Sequence, residues 1–152
     1  MMKTREHWVR GFIASKKGKV TITLPNGTQE KGNWENGKLT SLKDQGCWYF
    51  GVQSTDYMIP CTIAEWIGRL DKNNKFVYEG DIIIYTFVLP DRKTPGIIYM
   101  LVVWDDKTCG YKLKEIGNDV TMLDEIPSQE EFVDLEVIGN RWENPELLEA
   151  LR

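Results

Sequence analysis

Short runs of β-branched and aromatic residues, each closed by a turn-forming stretch, constrain the fold of this chain more than any other feature. Residues 19–24 (KVTITL) alternate polar and apolar side chains, which is typical of a strand with one buried face. Pro25-Asn26-Gly27 follows at once, and an Asn-Gly pair readily supplies the positive φ angles of a tight turn. Residues 97–104 (IIYMLVVW) are apolar throughout, as in a more deeply buried strand. These patterns predict a mainly β protein.

Similar runs recur along most of the chain. Further strands are predicted at residues 7–13, 47–53, 76–89, 111–116 and 135–139. An irregular stretch is expected around Gly32, Asn36 and Gly37, because glycine and asparagine favour turns. Residues 62–70 are expected to form a short helical turn.

Two short helices are predicted near the C-terminus. Ser128 and Glu131 have the spacing of a capping box, in which a hydroxyl and a carboxylate satisfy each other's free amide groups. Asn144 precedes Pro145, so an N-cap residue stands before a proline at the first helical position. The sequence ELLEAL then continues that helix.

The clearest internal break is the segment DKNNK, residues 71–75. Three of its five residues are Asp or Asn, which favour turns, and it separates two apolar regions. A chain of 152 residues is long enough for one ordinary core or for two small cores that share an interface. We therefore expect an N-terminal β region over residues 1–70 and a second domain over residues 71–152.

The segment YEGDIIIY, residues 78–85, has two interpretations. Glu79 and Asp81 are two residues apart, so in a strand they would share one face and could share a proton or bind a cation. Alternatively, Gly80 forms a bend that only glycine accepts cheaply, and Asp81 accepts hydrogen bonds from the free amides of that bend. The residues that follow are apolar and offer no partner to an acid, which favours the bend. Residues 82–85 are then expected to form a core strand.

Composition restricts where such a protein could act. The chain has a hydrophobic fraction of 41% and no apolar run near the roughly 20 residues that a membrane helix needs, so no membrane association is expected. Its first residues, MMKTREHWVR, are charged and lack the apolar core of a signal peptide. The three cysteines, at widely separated positions, suit free thiols in a reducing cytoplasm.

Residues able to carry chemistry are sparse. The single histidine, His7, has no cysteine or acid at metal-ligand spacing. Neither a CxxC pair, a glycine-rich phosphate loop nor a G-x-S-x-G elbow is present. The sequence therefore predicts no catalytic, cofactor-binding or metal-binding residue and no enzyme.

Two segments carry a resemblance to a known family. Residues 71–83 (DKNNKFVYEGDII) and residues 135–148 (LEVIGNRWENPELL) are similar to the two characteristic motifs of the YopX family, and HWVRGF resembles its opening. The resemblance spans nearly the whole chain. The motif positions are expected to have structural roles; they are Asp71, Tyr78, Glu79, Gly80, Asp81, Gly139, Asn140, Glu143, Asn144 and Pro145.

The family resemblance also implies a fold and an origin. YopX family members are small proteins of phages and prophages, with a mainly β fold whose C-terminal part is an SH3-type barrel. By that resemblance, residues 71–152 would form an SH3-like barrel in the cytoplasm of a bacterial host. The resemblance implies no particular biochemical activity.

Charge is unevenly distributed along the sequence. Residues 1–20 carry six basic residues against one acid, whereas residues 115–152 carry eleven acids against two arginines. These stretches could simply be solvated surfaces, or they could dock head to tail within or between chains. Six tryptophans and six tyrosines exceed what a small barrel core needs, and aromatic residues favour interfaces. A protein-interaction or assembly module is therefore predicted, as a homo-oligomer or with another phage or host protein.

Nucleic-acid binding is the alternative function. Lys16, Lys17 and Lys19 lie close in sequence to Trp8 and Phe12, and cations beside aromatic rings are the ingredients of a stacking surface. The overall charge of −4 attracts phosphate poorly, and the two aromatic residues are more simply interpreted as core.

Overall fold

The protein is described by a computed structural model that covers residues 8–42, 48–50, 59–88, 90, 91, 93, 95–117, 122, 123, 126–132 and 134–150. The chain divides into two compact units, residues 1–66 and residues 67–152. The described residues form eleven strands and two short helices, so the predicted mainly β class is confirmed. The predicted division into an N-terminal region over residues 1–70 and a domain over residues 71–152 stays a prediction.

The first unit is an antiparallel sheet. Its elements are β1 (Trp8–Ala14), β2 (Val20–Thr23), β3 (Gln29–Leu42), β4 (Trp48–Phe50), a 3-10 turn (Pro60–Thr62) and the start of β5 (Ala64–Leu70). The strand order is β2-β3-β1-β5, and β4 pairs with the end of β3. The Pro25-Asn26-Gly27 turn between β2 and β3 is present, closed by hydrogen bonds between Leu24 and Thr28 and between Gly27 and Leu24.

The core of the first unit is built around Phe12. Its ring is fully buried, as is Ile22, and it meets the Trp34 ring edge-on at a centroid distance of 5.2 Å. The buried Thr62 hydroxyl accepts a hydrogen bond from the Phe12 amide at 3.0 Å and donates one to the Ile59 carbonyl at 2.6 Å. One hydroxyl thus satisfies two backbone groups that would otherwise be costly to bury.

The second unit contains the end of β5 and the remaining elements. They are β6 (Phe76–Tyr78), β7 (Asp81–Val88), β8 (Pro95–Asp105), β9 (Gly110–Glu115), β10 (Met122–Leu123), α1 (Gln129–Phe132), β11 (Leu135–Asn140) and α2 (Pro145–Ala150). Five of these strands form an antiparallel sheet in the order β10-β9-β8-β7-β11, and β6 pairs with β5.

One face of the five-stranded sheet carries the core of the second unit. Its buried members are Ile67, Val77, Ile83, Met100, Val102, Leu113, Phe132 and Leu135. Ile83 lies opposite Met100, and Val102 lies opposite Leu113, so alternate residues of neighbouring strands fill the same face. This alternation explains why the apolar segments of the sequence became strands.

Two local predictions from the sequence were wrong. Of residues 62–70, only Thr62 belongs to a helical turn; Ala64–Leu70 form β5, because Val9 and Arg10 of β1 pair with Glu65 and Ala64. The stretch around Gly32 and Asn36 is the middle of β3, where it pairs along β1 and β2. In both places non-local pairing outweighs weak local propensity, as is common in sheets.

The predicted core strand over residues 82–85 is only partly correct. Ile82 and Ile83 are fully buried, Ile84 is half-buried, and Tyr85 is 37% exposed. Tyr85 faces the open end of the core side of the sheet, where it lies opposite Ile98 and Leu135.

Candidate functional site

The bend at residues 78–81 is held by backbone hydrogen bonds. Gly80 has a φ of +90°, as the sequence predicted for a glycine-specific bend. Its amide donates to the Val102 carbonyl at 2.8 Å, and its carbonyl accepts from the Arg141 amide at 2.9 Å. A side chain at position 80 would also meet the Arg141 side chain. The bend therefore connects β8 to the segment that follows β11.

The two acids of the YEGD segment have different partners. Asp81 is fully buried, and its carboxylate accepts a hydrogen bond from the Tyr78 amide at 2.8 Å. Glu79 forms an ion pair with Arg141, and these side chains are 25% and 32% exposed. The acids thus stabilise the bend and its neighbour, the arrangement expected when Asp81 binds back to the turn.

Asp71 organises the turn at residues 71–75. One carboxylate oxygen accepts from the amides of Asn73 (2.8 Å) and Lys75 (2.9 Å). The other oxygen accepts from the Val137 amide of β11 at 3.0 Å. Asn74 has a φ of +61°, a conformation that asparagine tolerates better than most residues. A buried acid with three amide donors holds a turn against a strand.

The motif segment at residues 135–148 contains a second network in which side chains accept hydrogen bonds from backbone amides. The Asn140 side-chain oxygen accepts from the amides of Trp142 and Glu143, both at 2.9 Å. The Asn140 amide donates to the Asn144 side-chain oxygen at 3.2 Å, and the Asn144 amide donates to the Asn140 carbonyl at 2.9 Å. Asn144 therefore directs its side-chain oxygen back to Asn140, just before Pro145 begins α2.

The two motifs meet through specific contacts. Gly139 lies opposite Ile82, and Asn140 lies opposite Asp81, in the pairing of β11 with β7. A Cβ atom at position 139 would clash with the Asn144 side-chain oxygen, which accepts from the Asn140 amide, so glycine is favoured there. The structure thus places the motif residues named from the sequence in three turns of the second unit, at residues 71–75, 78–81 and 139–145, where Asp71, Asp81 and Asn140 accept hydrogen bonds from backbone amides.

An open cleft lies on the core side of the five-stranded sheet, and its lining residue Leu135 accepts a hydrogen bond from the Lys72 amide of the 71–75 turn at 2.8 Å. It has a volume of about 510 Å³ and is lined by Tyr85, Ile98, Met100, Leu113, Glu115, Pro127, Glu131, Asp134 and Leu135. Sequence reasoning missed this site, because its lining comes from four strands, one helix and the two segments on either side of that helix. The one local signal is the spacing of Leu113 and Glu115, which places an apolar and an acidic side chain on the same face of β9.

The three lysines of the alternative function lie on one exposed loop. Lys16, Lys17 and Lys19 connect β1 and β2, where the Lys19 amide donates to the Asn33 side-chain oxygen at 3.2 Å. Phe12 is fully buried and therefore cannot stack on a base, in agreement with its interpretation as core. The three lysines therefore lie on one loop, but Phe12, one of the two aromatic residues expected beside them, is not on the surface.

Within the described ranges, few residues are arranged to carry other chemistry. There, no group of three or more histidine, cysteine or acidic side chains is arranged to hold a metal ion. His7 and Cys47 lie outside those ranges, and Cys61 and Cys109 are exposed free thiols. None of the described helices is long and apolar enough to cross a membrane.

Comparison with known proteins identifies the family. The sequence model of the family described as "YopX protein" matches residues 10–149, and so includes both motif segments. The chain belongs to the YopX family. A crystal structure of protein EF1440 from Enterococcus faecalis is similar to this YopX family member, with a TM-score of 0.42, 18% identity, and coverage of 96% of this chain and 99% of that one. No curated protein matches the present chain.

Proposed function

We propose that this chain is a protein-interaction or assembly module encoded by a phage or prophage. It acts in the cytoplasm of the bacterial host, as a homo-oligomer or by binding another phage or host protein. The open cleft of the second unit carries this proposal. Its volume of about 510 Å³ lies within the range of roughly 300–1,000 Å³ that is usual for small-molecule sites, which leaves room for a side chain of a partner protein.

The roles of the motif acids support a binding function over a catalytic one. Asp71 and Asp81 are buried and accept hydrogen bonds from backbone amides, and Glu79 pairs with Arg141. A general acid or base must reach a substrate, whereas these carboxylates hold the turns of the second unit. The proposal therefore assigns no reaction and no cofactor to the chain.

The SH3-type barrel is also part of this proposal. The antiparallel succession of β7, β8 and β9, with short connections, supports it. SH3-like barrels have many unrelated functions, so the cleft, and not the barrel, carries the functional argument.

The oligomeric state tests the assembly function. Light scattering behind a sizing column, in reducing buffer, is expected to give a mass larger than that of one 17.6 kDa chain. If the chain is a strict monomer across a wide concentration range, homo-oligomerisation is wrong and only a heterologous partner remains.

Nucleic-acid binding is the second candidate, favoured by the exposure of Lys16, Lys17 and Lys19 on one loop. Gel-shift assays with single- and double-stranded DNA and RNA at physiological salt are expected to show no complex, since the net charge is −4. A monomer that shifts DNA, and loses the shift when the three lysines become alanine, would reverse the order of the two candidates.

A further inference from the structure

The floor of the cleft is a continuous apolar surface. Tyr85 lies opposite Ile98 in the β7–β8 pairing, and Leu135 lies opposite Tyr85 in the β11–β7 pairing. Met100 and Leu113 belong to the buried core, and Ile98 packs against it. Because side chains alternate between the two faces of a strand, these residues share one face of adjacent strands. The cleft is therefore an extension of the core that remains open to solvent.

Among the described residues that line the cleft, the charged ones are all acidic. Glu131 and Asp134 are exposed, Glu115 is half-buried, and none of the described lining residues is a lysine or arginine. Among the ion pairs formed by described residues, none involves these three carboxylates. An apolar floor with such a rim attracts a cation that also carries apolar surface, and it repels phosphate.

The wall of the cleft formed by Pro127 and α1 is held by hydrogen bonds to residues outside the cleft. The Arg69 guanidinium donates to the Pro127 carbonyl at 2.8 Å. The Gln129 side-chain amide accepts from the Leu70 amide at 2.8 Å and donates to the Leu70 carbonyl at 2.9 Å, as a neighbouring strand would. Phe132 anchors α1 in the core. A wall held in this way is ordered before binding, which reduces the entropy that a ligand must offset.

We propose that this cleft binds a basic peptide segment of a partner protein. One large apolar side chain of the peptide occupies the floor between Tyr85, Met100 and Leu135, and flanking lysine or arginine side chains meet Glu115, Glu131 and Asp134. This inference rests on the proposed interaction function and specifies its partner. Nucleic acid is disfavoured at this site by the acidic rim. Met100 adds adaptability, because an unbranched thioether adjusts to different apolar groups.

The test uses the full-length chain, labelled with nitrogen-15, and a defined set of peptides. Each peptide has one central residue with two lysines before it and two lysines after it. The central residue is leucine, methionine, phenylalanine, tryptophan or serine. Titration with at least one apolar-centred peptide is expected to shift the amide signals of Ile98, Met100, Leu113 and Glu115. The serine-centred peptide and a leucine-centred peptide with glutamates in place of the lysines are expected to leave those signals unchanged.

Two variants distinguish the effect of the acidic lining residues on peptide binding from the effect of surface charge in general. Glu131→Gln combined with Asp134→Asn is expected to weaken binding about three- to tenfold, in line with two exposed charge contacts. Glu130→Gln is the matched control, because Glu130 is exposed on the same helix but does not line the cleft. This control is expected to keep the wild-type affinity.

Two results would overturn the inference. One is a set in which no apolar-centred peptide shifts the cleft signals up to millimolar concentration. The other is an equal loss of affinity in the control and in the double variant. The light-scattering measurement distinguishes this failure from failure of the proposed function, since oligomerisation would persist without peptide binding.

Discussion

At the scale of single residues, Gly80 is the position most sensitive to substitution. A β-branched side chain at a φ of +90° is strained, and it would meet the Arg141 side chain. We expect Gly80→Val to lower the free energy of unfolding by roughly 2–4 kcal/mol, measured by urea denaturation. Gly110→Val is the matched control, because its φ is not positive and a Cβ there would make only an ordinary contact with the Thr108 carbonyl oxygen at 3.9 Å. Equal losses in the two variants would contradict a special conformation at Gly80.

Substitutions at Ile83 and Glu79 compare what a core side chain and a charged side chain of the same segment contribute to stability. Ile83 is fully buried, so Ile83→Ala is expected to cost roughly 2–5 kcal/mol. Glu79→Gln is expected to cost less than about 1 kcal/mol, because the ion pair with Arg141 is partly exposed and glutamine can still accept a hydrogen bond. Urea denaturation of both variants measures the order. A larger loss for Glu79→Gln would mean that the ion pair has a functional or structural role beyond the bend.

At the scale of elements, the β8–β9 hairpin contains an acid whose pKa is shifted. Hydrogen bonding from the Thr108 hydroxyl (2.8 Å) and the nearby Lys112 ammonium (3.0 Å) lower the pKa of Asp105 below its ordinary value of 3.8. Because the folded-state pKa is depressed, ionised Asp105 stabilises the fold above about pH 4. That contribution is lost as the pH falls through the folded-state pKa.

Asp105→Asn should therefore reduce the acid sensitivity of the protein. The measurement is the difference in unfolding free energy between pH 7 and pH 3, and we expect this difference to be smaller in the variant than in the wild type. Thr108→Val removes the hydroxyl donor and should have an intermediate effect. A wild-type pH dependence in Asp105→Asn would show that the hairpin does not discriminate between the two protonation states.

At the scale of the whole molecule, features set by neighbouring residues were predictable from the sequence. The turn at residues 71–75, the bend at Gly80 and the strands on either side depend on local backbone preferences and on alternation, so they were correctly placed. β5 was not, because its pairing partner β1 lies more than fifty residues earlier. The ion pair of Glu79 and Arg141 joins residues 62 apart, and its members cannot be matched from spacing alone.

The cleft shows the same limit more strongly. Its residues run from Tyr85 to Leu135 and come from β7, β8, β9, β11, α1 and the segments before and after α1. Each residue taken singly is an ordinary member of a strand or a turn. Only the sheet order places Tyr85 beside Leu135, and no sequence pattern specifies that β11 returns to pair with β7.

The exposed thiols of Cys61 and Cys109 affect how any assembly of this protein should be measured. An accessible thiol can attack or form a disulfide in an oxidising buffer, and two chains joined in this way would resemble a dimer. Purification in air could therefore produce a covalent artefact that grows with storage time. A genuine assembly keeps its mass after reduction and in a variant with Cys47, Cys61 and Cys109 all changed to serine, whereas a cross-linked pair separates into single chains.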